Sequence, residues 1–237
     1  MLGAIIVAGG SSRRMGFDKV LAIIGNKPVV AHSIAAFEAT ASVKEIILVG
    51  REKRLGELAD IVSAEKFEKV RAIVAGGTHR QDSVSQGLER LSHDMKYVAV
   101  HDAARPLVTP AQTELVFQEA RAHGAATLAA PVTDTLKRAT NEYVVCESIA
   151  RAGVYAMQTP QIFLRELLVE AFRVAQAEKL SMTDEVSAVE HLRREVVLVA
   201  NSEPNFKITY PADLALAECA LHERARNSRE RDSDARR

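Results

Sequence analysis

Short apolar runs at residues 4–7, 45–49, 70–74, 97–100, 125–129 and 195–199 recur along the chain, with longer stretches of helical period between them. Most of these runs are apolar throughout rather than alternating, which is how strands covered on both faces read. The intervening stretches, 28–41, 54–62, 81–91, 109–123, 163–177 and 183–192, predict helices. The fourth is the best marked: Thr109 can cap it, Pro110 suits its first position and Gly124 follows its last turn. Strands alternating with helices imply a doubly wound α/β domain, a mostly parallel sheet with helices on both sides.

Two segments break the alternation. Residues 132–155 mix polar and β-branched side chains without a helical stripe, and fit an extended hairpin or arm. A lone hairpin cannot bury itself, so it must pack on the body or on a second subunit. The stretch 222–237 holds six arginines and four acidic residues with no apolar side chain larger than alanine, the composition of a disordered tail. Between these features no linker or repeat divides the chain, so residues 1–221 read as one domain.

The 31 basic residues match the 31 acidic ones, and that balance argues against nucleic acid or an anionic membrane as the main partner. The longest stretch free of Asp, Glu, Lys and Arg, 152–164, falls short of the roughly 20 residues a membrane span needs. The apolar N-terminus has no basic region before it and runs straight into a glycine turn, so the chain reads as mature and cytoplasmic. Cys146 and Cys219 lack a metal-site spacing and read as small packed side chains.

Chemistry is concentrated where strands end. The first strand leads into VAGGSSRRMGFDK, in which Ala8, Gly9 and Gly10 would let backbone amides approach an anion while Arg13, Arg14 and Lys19 supply positive charge. The loop has neither the Gly-Lys-Ser/Thr of a Walker A loop nor the spacing of a dinucleotide fingerprint. A second cluster, HDAARP, sets Asp102 at the carboxyl end of a strand, where ligands of open α/β sheets bind, and makes it the candidate for a divalent cation. His101 beside it reads as a hydrogen-bonded structural histidine. In a third, GGTHRQDSV, Gly77 and Ser83 could read a base edge, or the segment could be a helix start capped by Thr78 or Asp82.

In this order VAGGSSRRMGFDK, GGTHRQDSV, HDAARP, APVTDTLKR, TPQIF, TDE and NFKITYPADLALAE resemble the 2-C-methyl-D-erythritol 4-phosphate cytidylyltransferases of the non-mevalonate isoprenoid pathway, over residues 4–221. The first loop departs from the family's usual wording at Val7, Gly9 and Ser12. The resemblance implies a Rossmann-like nucleotidyltransferase fold and a homodimer formed through the arm. It implies transfer of CMP from CTP to methylerythritol phosphate, with Mg²⁺ or another divalent cation. Arg14 and Lys19 match the pair that stabilises charge on the α-phosphate, and Arg151 and Lys207 match residues that hold the acceptor phosphate. Ala8, Gly9, Gly10, Gly77, Ser83 and Asp102 match nucleotide-binding positions. Asp102, Arg105, Thr135, Arg151, Thr159, Thr183 and Lys207 match substrate-binding ones, with Thr135 and Arg151 reaching the partner's site. A cytidylyltransferase for another polyol phosphate, such as ribitol 5-phosphate, and a non-catalytic nucleotide-binding module are the alternatives.

Overall fold

Strand β1 (Leu2–Val7) is buried along almost its whole length because it has parallel neighbours on both sides, pairing Ile5 with Ile47 and with Val100. The structure, a computed structural model, describes residues 1–10, 15–180 and 182–234. After β1 come the short strands β2 (Ile23–Ile24) and β3 (Lys27–Pro28), then α1 (Val29–Ala39), β4 (Val43–Gly50), α2 (Leu55–Ala64) and β5 (Val70–Ala75). Next are α3 (Arg80–Arg90), β6 (Tyr97–Asp102), α4 (Pro110–His123) and β7 (Ala125–Pro131). A hairpin of β8 (Leu136–Ala139) and β9 (Val145–Ile149) leads to β10 (Tyr155–Leu164) and α5 (Arg165–Ala177). The chain ends in α6 (Glu185–His191), β11 (Val197–Ala200) and α7 (Ala212–Asp234).

The main sheet has the order β11-β7-β10-β6-β1-β4-β5, and every pairing in it is parallel except those of β10. The expected α/β architecture is therefore present, with helices on both faces. One core layer joins Ile34, Phe37, Val116 and Leu128, and the other joins Val84, Leu88, Phe163 and Leu168. Each fully buried Leu, Ile or Phe of this kind contributes about 1.5–3 kcal/mol relative to exposure. Helix α4 begins and ends where the sequence signals fall: Thr109 Oγ1 accepts from Gln112 N–H, Pro110 is the first helical residue, and Gly124 takes the left-handed φ of 89° that closes the helix.

Strand β10 differs from expectation. Residues 155–162 carried no strand signal, because Pro160 removes a donor and Gln158, Thr159 and Gln161 are polar. These side chains are nonetheless buried, since each finds a partner from elsewhere in the chain: Gln161 Nε2 donates to Asp184 Oδ2 at 2.9 Å, and Thr159 Oγ1 lies 2.9 Å from His101 Nδ1. The stretch from His222, expected to be disordered, is helical as far as Asp234. It continues α7, because Ala, Glu and Arg are strong helix formers and Arg224 anchors the helix by donating to the carbonyls of Leu107 and Pro204.

The β8–β9 hairpin stands within the predicted arm, and most of its residues are exposed, Tyr143 by 92%. Among the described residues no helix is long and apolar enough to cross a membrane.

Candidate active site

Strands β1, β4 and β6 run in parallel, so their carboxyl ends bring the 8–10 turn, Arg51 and the 102–105 loop to one edge of the sheet. A cavity of about 350 Å³ opens there. It is lined by Ala8, Gly9 and Gly10, by Gly77, Arg80 and Ser83 around the start of α3, and by Lys19, Asp102 and Lys207. Eight of the residues expected at the site therefore meet in one place. Arg14, with Arg13, lies outside the described residues. A larger groove of about 540 Å³ between α3 and α5 has Arg173 as its one cation among the described residues, and none of the expected residues lines it.

The start of α3 is a capped helix N-terminus, one of the two readings open for it. Asp82 turns back so that its Oδ2 accepts from His79 N–H at 2.9 Å, which caps the helix. A Cβ on Gly77 would stand 2.3 Å from Asp82 Cβ, so glycine is required by that cap. Gly77 and Ser83 also line the cavity.

Asp102 organises the charge. Its Oδ1 accepts from Arg80 Nη2 at 3.2 Å and its Oδ2 from Lys207 Nζ at 2.9 Å, while Arg105 Nε lies 3.6 Å away. Burial opposes its ionisation, but Arg80, Lys207 and Arg105 outweigh burial and hold the carboxyl far below the usual carboxylate range. Arg80, which the sequence reading did not single out, sits in the first turn of a helix, where the dipole disfavours a cation. Asp102 and the buried Glu185 of α6 compensate, and their charges more than offset the burial of Arg80 and raise its pKa. With Lys19 also in place, cations outnumber carboxylates around the cavity floor, an arrangement suited to phosphates. Lys19 Nζ donates to Ile208 O at 2.5 Å, next to Lys207.

Other expected site residues are placed differently. Arg105 does not line the cavity: Nη1 donates to Asn205 O at 2.8 Å and Nη2 to Met157 O at 3.2 Å, so its fork ties two backbone segments together behind Asp102. Thr159 is buried and accepts from Asp102 N–H at 3.1 Å, which fixes the strand end rather than presenting a hydroxyl to a ligand. Thr183 shares a hydrogen bond of 2.9 Å with Ser187 at the start of α6, outside the cavity lining. Thr135 and Arg151 belong to the exposed arm, where Arg151 donates to Thr133 O, and the single chain does not bring them to the cavity.

His101 has the structural role expected of it. It is fully buried, Nε2 lies 3.2 Å from Arg105 O, and burial pushes its pKa down to about 3. Below pH ~6.5 the unfolded chain binds a proton at this residue that the folded chain refuses, so stability falls as pH drops from ~6.5 toward 3, by up to ~1.4 kcal/mol per unit. Urea unfolding of the wild type should therefore weaken between pH 6 and 4 with a slope steeper than that of His101→Gln; parallel slopes would refute the assignment.

Asp102 is the one acidic side chain among the described residues lining the cavity, and no group of three or more His, Cys, Asp or Glu suited to a metal occurs among them. A single carboxylate does not make a metal cage, but it fits Mg²⁺, which is usually bound through one or two carboxylates plus substrate phosphates and water.

Cations gathered with a glycine turn at the carboxyl ends of parallel strands fit the phosphates handled by a nucleotidyltransferase. Residues 2–223 match the profile of the 2-C-methyl-D-erythritol 4-phosphate cytidylyltransferase family, and the chain belongs to that family. It is 41% identical over 218 residues to the 2-C-methyl-D-erythritol 4-phosphate cytidylyltransferase of Salinibacter ruber, covering 92% of this chain and 91% of that one. It is 40% identical over 228 residues to the protein of the same name from Pelotomaculum thermopropionicum, covering 94% and 95%. The solved 4-diphosphocytidyl-2C-methyl-D-erythritol synthase of Anaerococcus prevotii superposes with a TM-score of 0.82 at 28% identity, over 93% of this chain and 96% of that one. The 2-C-methyl-D-erythritol 4-phosphate cytidylyltransferase of Thermus thermophilus does so with a TM-score of 0.77 at 29% identity, over 92% and 98%.

Proposed function

We propose that this chain transfers CMP from CTP to 2-C-methyl-D-erythritol 4-phosphate, giving 4-diphosphocytidyl-2-C-methyl-D-erythritol and pyrophosphate, in the non-mevalonate route to isoprenoid precursors. The observation that carries the reading is the convergence of Lys19, Arg80 and Lys207 around Asp102, in one cavity with the glycine turn, in a member of this family.

An oxygen of the acceptor phosphate attacks the α-phosphorus of CTP, and the bond from that phosphorus to the bridging oxygen of the β-phosphate breaks as pyrophosphate leaves. Both reactants are anions, so the barrier is one of repulsion and alignment. A phosphate monoester, with its second pKa near 6, is already ionised at neutral pH, so no general base is required. Ala8, Gly9 and Gly10 lie against the nucleotide, and Gly77 and Ser83 face the base. Lys19, with Arg14, stabilises the charge that builds on the transferring and leaving oxygens. Lys207, whose side chain is 41% exposed, can turn from Asp102 to the acceptor phosphate, because Asp102 then keeps Arg80 and Arg105 as counter-ions. A divalent cation, when bound, neutralises phosphate charge, and Asp102 would hold it together with those phosphates.

The reading extends to a single domain over residues 1–221 and to a cytoplasmic homodimer in which the arm carries Thr135 and Arg151 to the partner's cavity. The acceptor is tested by competition. With CTP and equal methylerythritol phosphate and ribitol 5-phosphate, the methylerythritol product should dominate. Preference for ribitol 5-phosphate would overturn the acceptor assignment, and absence of pyrophosphate release with either would mark a non-catalytic module.

A further inference from the structure

We propose that Arg51, just beyond the end of β4, is a positioning residue for the triphosphate: it draws the carbonyls of Gly9 and Gly10 away from the cavity and so presents the amide edge of this turn to the phosphates. The inference rests on the reading of the cavity as a CTP site.

Among the described residues nothing crowds the two glycines. A Cβ on Gly9 would meet only Ser83 Oγ, at 3.9 Å, and one on Gly10 would meet nothing within 4 Å. Their smallness leaves the cavity side open, yet two consecutive residues without Cβ can take many backbone orientations. Something else must fix the peptide planes, because carbonyl oxygens facing a triphosphate repel it whereas amides attract it. Arg51 supplies that constraint: Nη2 donates to Gly10 O, and Nε donates to Gly9 O at 3.4 Å. A trans peptide carries its C=O and N–H on opposite edges. With the Gly9 carbonyl turned to Arg51, which is not part of the cavity lining, the Gly10 amide is turned the other way.

The same guanidinium reaches the segment that carries Lys19. Arg51 Nη2 lies 3.7 Å from Oδ2 of Asp18, whose side chain is only 7% exposed and which immediately precedes Lys19. One side chain thus ties the glycine turn to the segment that brings Lys19 to the same cavity. This needs the planar fork of arginine, which directs several donors at once; a lysine ammonium in the same place offers a single point of attachment. Arg51 touches no reacting atom and acts through the backbone.

The test uses Arg51→Met and Arg51→Lys, with calorimetric titration of CTP and of cytidine, and KM for CTP and for the acceptor. Arg51→Met should weaken CTP binding tenfold or more while cytidine affinity and the KM for methylerythritol phosphate stay within twofold of wild type, and Arg51→Lys should fall between. CTP affinity within twofold of wild type, or equal weakening of CTP and cytidine, would overturn the proposal, the second by showing general distortion of the pocket. Failure of the wild type to bind or turn over CTP would instead overturn the functional reading on which the proposal rests.

Discussion

Lys19→Ala should lower turnover on the order of 10³ to 10⁵-fold, the loss typical of a cation that stabilises phosphoryl-transfer charge. Lys19 is buried at the cavity, with Nζ held by Ile208 O at 2.5 Å, so its ammonium is fixed before any phosphate arrives. A charge held in advance in a poorly solvated site acts more strongly on a developing anion than one that must reorganise. The fold should survive, because the backbone bond from Ile208 N–H to Ala104 O, 2.8 Å long, still secures the 205–208 segment when the side chain is gone. Losing a hydrogen bond from a charged donor costs about 1.5–3 kcal/mol, a fraction of the stability of a domain. Pyrophosphate release at saturating CTP, with circular dichroism as the control on folding, reads the effect. Activity within tenfold of wild type would remove Lys19 from the chemistry.

Asp102→Ala should both inactivate and destabilise, by about 3–5 kcal/mol, the penalty for leaving buried charge without its partner. Arg80 keeps Glu185, but among the described residues no other carboxylate pairs with Arg105. The carboxyl is held low in the folded protein, so the stability it contributes is present above the ordinary carboxylate range and is lost only as pH falls below ~4. Denaturant unfolding at pH 7 should therefore show the full loss, and the difference between variant and wild type should shrink below pH 4. A loss under 1 kcal/mol at pH 7 would mean that Asp102 is not the counter-ion around which the cations are arranged.

The alternation of buried strands and helices was legible because it depends on local periodicity, and the start and stop of α4 were legible residue by residue. Strand β10 was not, since what makes Gln158, Thr159 and Gln161 tolerable in a buried strand is supplied by His101, Asp184 and Asn205, far away in sequence. The site divides in the same way. Glycines after strands, Lys19 and Asp102 stood out by type and position, and Lys207 only through the family resemblance. Arg80 and Glu185 did not, because their importance lies in a pairing across 105 residues. A cation in the first turn of a helix was the available signal, since the dipole there calls for a compensating carboxylate. Arg105 shows the converse: its charge was visible in the sequence, but the carbonyls that occupy its fork were not. Arg51 had no local signal, as the turn it holds lies more than 40 residues away.

Transfer in this cavity would bond the α-phosphorus of CTP, through an oxygen, to the acceptor phosphate. A ³¹P spectrum of the protein with CTP, Mg²⁺ and 2-C-methyl-D-erythritol 4-phosphate reads that bond directly. The expected spectrum shows the coupled pair of signals of a new diphosphate together with free pyrophosphate, growing at equal rates. Formation of CDP or orthophosphate with the acceptor monoester signal unchanged would contradict it.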